Sequence, residues 1–271
     1  MPFAETPTGR LHFQVLDAVP QWVTEPETIL FHHGVAANLH LWSRWLPELT
    51  DRYRIVRFDT RGYGGSAAAG EDFKYTFESL TDDVLAVADA AETGKFHFVG
   101  ESMGGTIGVA LALRAQERLH TLILSNAAAR GGQIRNVDGW KAIADGDGAS
   151  GWAEQMMDWR FYPGMLDREV YDWFKGVHEA SSMDVNLALA DLLLQADFMQ
   201  ELEAINVPTL LLAPEASPFI ALDLMAEMRR RLPRAELQVF AHSKHGLPLS
   251  HGPQCAAVAR SFLDRQQASG P

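Results

Sequence analysis

The run Lys95-Phe96-His97-Phe98-Val99-Gly100 leads into Glu101-Ser102-Met103-Gly104-Gly105 and leaves as Thr106-Ile107-Gly108-Val109-Ala110, a stretch of small and apolar residues. This feature restricts the fold more than any other in the 271-residue chain. An apolar strand that becomes a helix within a few residues must bring the two backbones almost into contact. Gly100 and Gly104 stand where a Cβ would collide with neighbouring backbone. Ser102 would then sit at the tip of the turn, at a helix N-terminus whose dipole favours negative charge. Gly-x-Ser-x-Gly alone is a short and common pattern; the strand before it and the helix after it make it a nucleophile elbow.

The rest of the chain fits a sheet that could carry such a turn. Apolar or β-branched runs at Leu11–Val15, Thr28–His33, Arg54–Asp59, Phe96–Gly100, Thr121–Asn126, Thr209–Pro214 and Glu236–Phe240 predict strands. Helical patterns separate or follow them at Leu39–Leu49, Phe77–Ala91, Met103–Ala115, Ile220–Leu232 and Pro253–Arg265. Such alternation predicts an α/β fold with a mostly parallel sheet covered by helices. Between Gly131 and Gln200 the alternation stops and only helical periodicity remains. Four of the seven tryptophans lie there, Trp140, Trp152, Trp159 and Trp173. We therefore divide the chain into a core of residues 1–130 and 201–271 and a helical cap of residues 131–200. The cap aromatics either form its own small core or line an apolar pocket beneath it.

Composition narrows the partners. A net charge of −12 argues against nucleic acid and anionic membranes. A single cysteine, Cys255, precludes an internal disulfide and thiolate-rich metal sites, and its helical setting suits a packed small hydrophobe. The N-terminal MPFAETPTGR lacks the apolar region of a signal peptide, so a cytoplasmic location is expected.

A serine hydroxyl needs a base. Among ten histidines, His245 lies in the loop after the last predicted strand and before the last helix, where folds with this elbow place theirs. His242, at the strand end, and His251 are the alternatives. Backbone N–H groups of Met103 and Val35 are the expected oxyanion donors. The neighbouring His32 and His33 point to opposite faces of a strand and have no acidic companions, so no metal is expected there; His33 is expected to brace the oxyanion loop.

Together His33-Gly34, Asp59-Thr60-Arg61-Gly62-Tyr63-Gly64-Gly65-Ser66, Gly100-Glu101-Ser102-Met103-Gly104-Gly105 and His245-Gly246 resemble the α/β-hydrolase superfamily over essentially the whole chain. Arg57-Phe58-Asp59-Thr60-Arg61-Gly62 and Ser125-Asn126-Ala127-Ala128-Ala129-Arg130-Gly131 are similar to the 3-oxoadipate enol-lactonases and related esterases. The resemblance implies an eight-stranded, mostly parallel sheet with a helical cap, no cofactor, and a Ser-His-acid triad acting on a small ester or lactone. The implied substrate is an enol-lactone or related product of aromatic degradation. Arg130 is a candidate partner for a substrate carboxylate, and Trp140 and Trp159 are candidate substrate contacts. The triad pattern fails at one place. Where relatives carry an Asp, after Thr209-Leu210-Leu211-Leu212-Ala213, this chain has Ser217. Three readings stand: Glu215 reaches His245 as the acid, Asn126 orients the imidazole without charge, or there is no acid. Two other functions stand beside ester or lactone hydrolysis. One is carbon–carbon hydrolysis of a ring-fission product, or cofactor-free oxygen chemistry, on the same scaffold. The other is a non-catalytic, ligand-binding homologue.

Overall fold

The computed structural model describes residues 2–66, 70, 73–137 and 139–268. Eight strands form one sheet: β1 (Phe3–Thr6), β2 (Gly9–Leu16), β3 (Thr28–His32), β4 (Arg54–Phe58), β5 (Phe96–Glu101), β6 (Leu119–Ser125), β7 (Thr209–Pro214) and β8 (Ala235–Phe240). Their order is β1-β2-β4-β3-β5-β6-β7-β8. The β1–β2 and β2–β4 pairs are antiparallel, and every pair from β4 to β8 is parallel. β1 is not among the strands expected from sequence because four residues, one of them the buried Ala4, carry too little alternation to register.

The central strands are buried on both faces, as parallel strands flanked by helices must be. On β5, Phe96 and Phe98 face one hydrophobic cluster with α1 (Phe77–Ala90) and α2 (Met103–Ala115), while Val99 faces a second cluster with α8 (Gly252–Ala268). Cys255 is fully buried in the second cluster. The helix expected over Leu39–Leu49 is instead two 3₁₀ turns, Leu39–Trp42 and Leu46–Glu48. Pro47 has no N–H to continue a helix, and burial of Trp42 and Trp45 holds the turns against the sheet.

Between β6 and β7 the chain forms α3 (Trp140–Arg160), α4 (Arg168–Glu179) and α5 (Met183–Leu194). Gly148 leaves helical geometry and splits α3. α6 (Leu222–Arg231) and the short α7 (Leu247–Ser250) complete the helices. After β3 the chain crosses to β4 on one side, then returns to place β5 on the other. The loops following β3 and β5 therefore diverge and leave a crevice at the carboxyl ends of adjacent strands, where open α/β sheets bind ligands.

Candidate active site

Ser102 follows β5 with φ 54° and ψ −116°, a conformation costly for a residue with a side chain. The turn is held from both sides: Ser102 N–H donates to the Ser125 carbonyl at 2.8 Å, and the Ser102 carbonyl accepts from Thr106 N–H at 3.0 Å. A Cβ on Gly100 would run into the Gly104 carbonyl, and one on Gly104 into the His32 carbonyl. Both glycines are thus dictated by close backbone approach.

His245 reaches this serine from the loop after β8. Its Nε2 is 3.0 Å from Ser102 Oγ and its Nδ1 is 3.0 Å from Ser217 Oγ. If Ser102 O–H donates to Nε2, the ring carries its proton on Nδ1 and donates to Ser217. The loop is pinned through its backbone, since Asn126 Nδ2 donates to the His245 carbonyl at 2.7 Å and Gly246 N–H donates to the Arg160 carbonyl at 3.0 Å. Burial, reinforced by the Arg160 charge, pushes the His245 pKa well below its usual value, so the imidazole is a neutral base at pH 7.

The expectation for Glu215 is corrected here. Its Oε2 accepts the backbone N–H of His242 at 2.7 Å, which turns an exposed carboxylate away from His245. Ser217 occupies the position beside Nδ1. Its Oγ also lies 3.3 Å from Phe219 N and 3.2 Å from Ile220 N, both donors. Asn126 touches the His245 backbone rather than its ring. His242 is exposed and stacks on Tyr162 with centroids 4.5 Å apart.

Val35 lies just past β3 and lines the cavity with Ser102 and His245. Met103 is the first residue of α2, so its N–H has no partner within the helix. His33 fixes the Val35 loop: its Nδ1 lies 2.7 Å from the Gly34 carbonyl, and its Nε2 accepts from Thr60 N–H at 2.9 Å. Both bonds are satisfied by a neutral ring, and burial lowers its pKa accordingly. Asp59 organises the neighbouring loop, accepting from Leu39 N–H and Gly65 N–H, each at 2.8 Å.

An acid does stand near the histidine, but on the other side of the ring. Glu101 Oε1 is 3.6 Å from His245 Nε2, and both side chains are buried. Burial raises the Glu101 pKa to about 7, against the opposing pull of Arg160 and a backbone hydrogen bond from Gly34. Below that pH it is mostly neutral and offers little charge to an imidazolium. Stability should register this group. The unfolded carboxyl ionises near 4.5 and the folded one near 7, so stability falls as pH rises across that window and levels off above it. Glu101→Gln should therefore gain in Tm over the parent between pH 5 and pH 8, by the equivalent of about 3 kcal/mol at most. A constant Tm difference at the two pH values would refute this account.

Residues Val35, Ser102, Thr106, Ile134, Val137, Trp140, Arg160, Leu193, Phe219, Ile220 and His245 line a narrow cavity beside the serine, with about 20 Å³ of free space. Among the described residues no group of three His, Cys, Asp or Glu side chains is placed to hold a metal ion. No described helix is long and apolar enough to cross a membrane.

Residues 27–251 match the family model of the alpha/beta hydrolase fold. The chain belongs to that family. Among relatives of this α/β hydrolase, 3-oxoadipate enol-lactonase 1 of Acinetobacter baylyi is 29% identical over 201 residues, covering 70% of this chain and 71% of the relative. An AB hydrolase superfamily protein of Bacillus subtilis is 30% identical over 234 residues, covering 80% and 84%. The crystal structure of the enol-lactonase from Burkholderia xenovorans superposes with a TM-score of 0.85 at 25% identity, covering 97% of this chain and 100% of that one.

The other predicted contacts of this α/β hydrolase divide. Trp140 lines the cavity. Trp159 is half-buried and sits behind the wall, its ring 5.4 Å from that of Phe219. Arg130 is corrected: it faces Asp197 at 3.8 Å, bridges to it through the backbone, and does not line the cavity. The arginine that does is Arg160, which no sequence motif singles out. The available signal is the spacing Trp152, Met156, Arg160, which places a cation on the apolar face of a helix.

Proposed function

We propose that this protein is a serine hydrolase that cleaves an ester or lactone through an acyl-Ser102 intermediate. The observation that carries the reading is the 3.0 Å approach of Ser102 Oγ, on a strained elbow, to the Nε2 of a buried neutral His245. In the first step Nε2 takes the Oγ proton as Oγ adds to the carbonyl carbon. The oxyanion accepts hydrogen bonds from the N–H groups of Val35 and Met103. His245 returns the proton to the departing alkoxide or enolate oxygen, leaving an acyl ester on Ser102. Water, deprotonated by the same nitrogen, then releases the acid and restores the serine. The segment at 131–200 acts as a cap, since Ile134, Val137, Trp140, Arg160 and Leu193 close the cavity over the serine.

The likeness to enol-lactonases supports the lactone branch. Ser217 in place of an acid favours a second reading, a binding protein that retains the scaffold without turnover. A serine-directed phosphonate separates the two. Hydrolase function predicts one covalent adduct per folded chain, located at Ser102 by peptide mapping and absent from Ser102→Ala. Folded protein that takes up no label would defeat the proposal.

A further inference from the structure

We infer that the side chain of Ile134 is the partition that limits the length of the ester, because among the described residues it alone lines both the cavity at Ser102 and an open cleft along α6. This specificity rests on the hydrolase reading above.

The cavity at the serine has about 20 Å³ of free space, room for little more than one water molecule. On the other side of Ile134 lies a cleft with about 600 Å³ of free space. Gly132, Gln133 and Arg135 form one of its walls, and Asp223, Leu224 and Arg230 of α6 form the other. The chain at 220–221 divides in the same way, with Ile220 lining the cavity and Ala221 the cleft. A different open cleft, beside Gly62, Tyr63 and Trp173, shares no lining residue with the cavity.

The backbone that carries Ile134 is held on both sides. Gly131 N–H donates to the Ala196 carbonyl at 2.7 Å and Arg135 N–H to the Phe219 carbonyl at 3.0 Å. Asn136 Nδ2 donates to the Pro218 carbonyl at 2.8 Å. The partition is therefore one side chain on a fixed segment. Its β-branch restricts χ1, so it gives way less readily than an unbranched side chain of similar size. A substrate chain that follows the apolar wall of Val137, Leu193 and Ile220 is stopped at Ile134. With that side chain cut back to its Cβ, the chain can run on into the cleft, where Gln133 and Arg135 are exposed and its far end meets water.

The test uses two pairs of esters: 4-nitrophenyl acetate with 4-nitrophenyl octanoate, and ethyl acetate with octyl acetate. They lengthen the acyl group and the alcohol separately. The parent should favour the short member of each pair in kcat/KM. Each methylene taken from water is worth about 4-fold, so Ile134→Ala should raise the long-to-short ratio about 50-fold in at least one pair. Ile134→Leu refills the space and should stay near the parent. Val137→Ala enlarges the same cavity without opening it to the cleft, and should move either ratio by less than about 3-fold. A parent that favours the long esters, ratios unmoved in Ile134→Ala, or an equal rise in Val137→Ala overturns the inference. Octanamide, which needs no turnover, separates the two proposals. If no variant cleaves an ester, yet octanamide raises the Tm of Ile134→Ala and not that of the parent or Ile134→Leu, the partition stands and the hydrolase reading falls; no such shift overturns the partition as well. If a phosphonate labels Ser102 and both ratios stay at the parent's values in Ile134→Ala, the hydrolase reading stands and the partition falls.

Discussion

Ser217→Asp is expected to raise kcat/KM on an activated ester by about 100-fold or more. The hydroxyl at this position is asked to accept from three directions: His245 Nδ1 at 3.0 Å, Phe219 N at 3.3 Å and Ile220 N at 3.2 Å. A hydroxyl has two lone pairs, whereas a carboxylate offers about four acceptor sites. The turn after β7 is therefore already shaped for a carboxylate, and Ser217 is only half-buried, which leaves room for the larger group. The gain follows from charge. When Nε2 takes the serine proton the ring becomes an imidazolium, and a serine can orient it but not neutralise it. Loss of the acid costs about 10⁴-fold in a well-measured protease, which bounds what its restoration can return. The companion variant Glu215→Gln should change kcat/KM less than about 2-fold, since that side chain serves the His242 amide. A Ser217→Asp protein with unchanged Tm and unchanged or lower kcat/KM would show that the charge is already supplied elsewhere, with Glu101 the first group to examine.

Ser102→Ala should lose activity by an amount that depends on residue 217. In a protease where both have been measured, removing the whole triad costs about 10⁶-fold and the acid alone about 10⁴-fold. A serine and histidine working without their acid are then worth about 100-fold. Ser102→Ala in the natural sequence should cost about that much, and in the Ser217→Asp background the cost should be larger by the whole gain from the aspartate, about 10⁴-fold or more, because the three groups act as a unit. Steady-state rates on one activated ester for the four proteins of this cycle suffice. A loss of equal size in both backgrounds would mean that residue 217 does not act through the Ser102–His245 pair.

Much of this molecule was legible in its residues. The elbow was, because each of its requirements is local: a strand, a helix, and two glycines a few positions apart. The central strands were, because burial on both faces leaves continuous apolar runs. The short edge strand β1 was not, having only four residues in which to show a pattern. The turns at Leu39–Glu48 were misjudged because buried tryptophans at near-helical spacing imitate a helix that Pro47 forbids. Chain order points to the loop after the last strand, and within it His245 is preferred to His242 because it is followed by Gly246 and a helix, whereas His242 stands at the strand end.

The groups around that histidine belong to a different kind of information. Ser217 and Glu215 are two residues apart, and nothing in their spacing says which one faces Nδ1. The hydrogen bond from the His242 amide to Glu215 decides it, across 27 residues of chain. Arg130 and Arg160 are likewise both arginines at the margins of the inserted helices. One meets Asp197 and the other enters the cavity because α3 carries it there on an apolar face. By itself, then, the sequence determined the fold, the position of Ser102 and the loop that brings a histidine to it, since periodicity and tight turns are properties of neighbouring residues. Only the tertiary structure decided that a hydroxyl stands at Nδ1, a carboxyl near Nε2 and a buried guanidinium in the cavity wall beside the serine. Those contacts depend on how distant loops settle against one another, which no local pattern encodes.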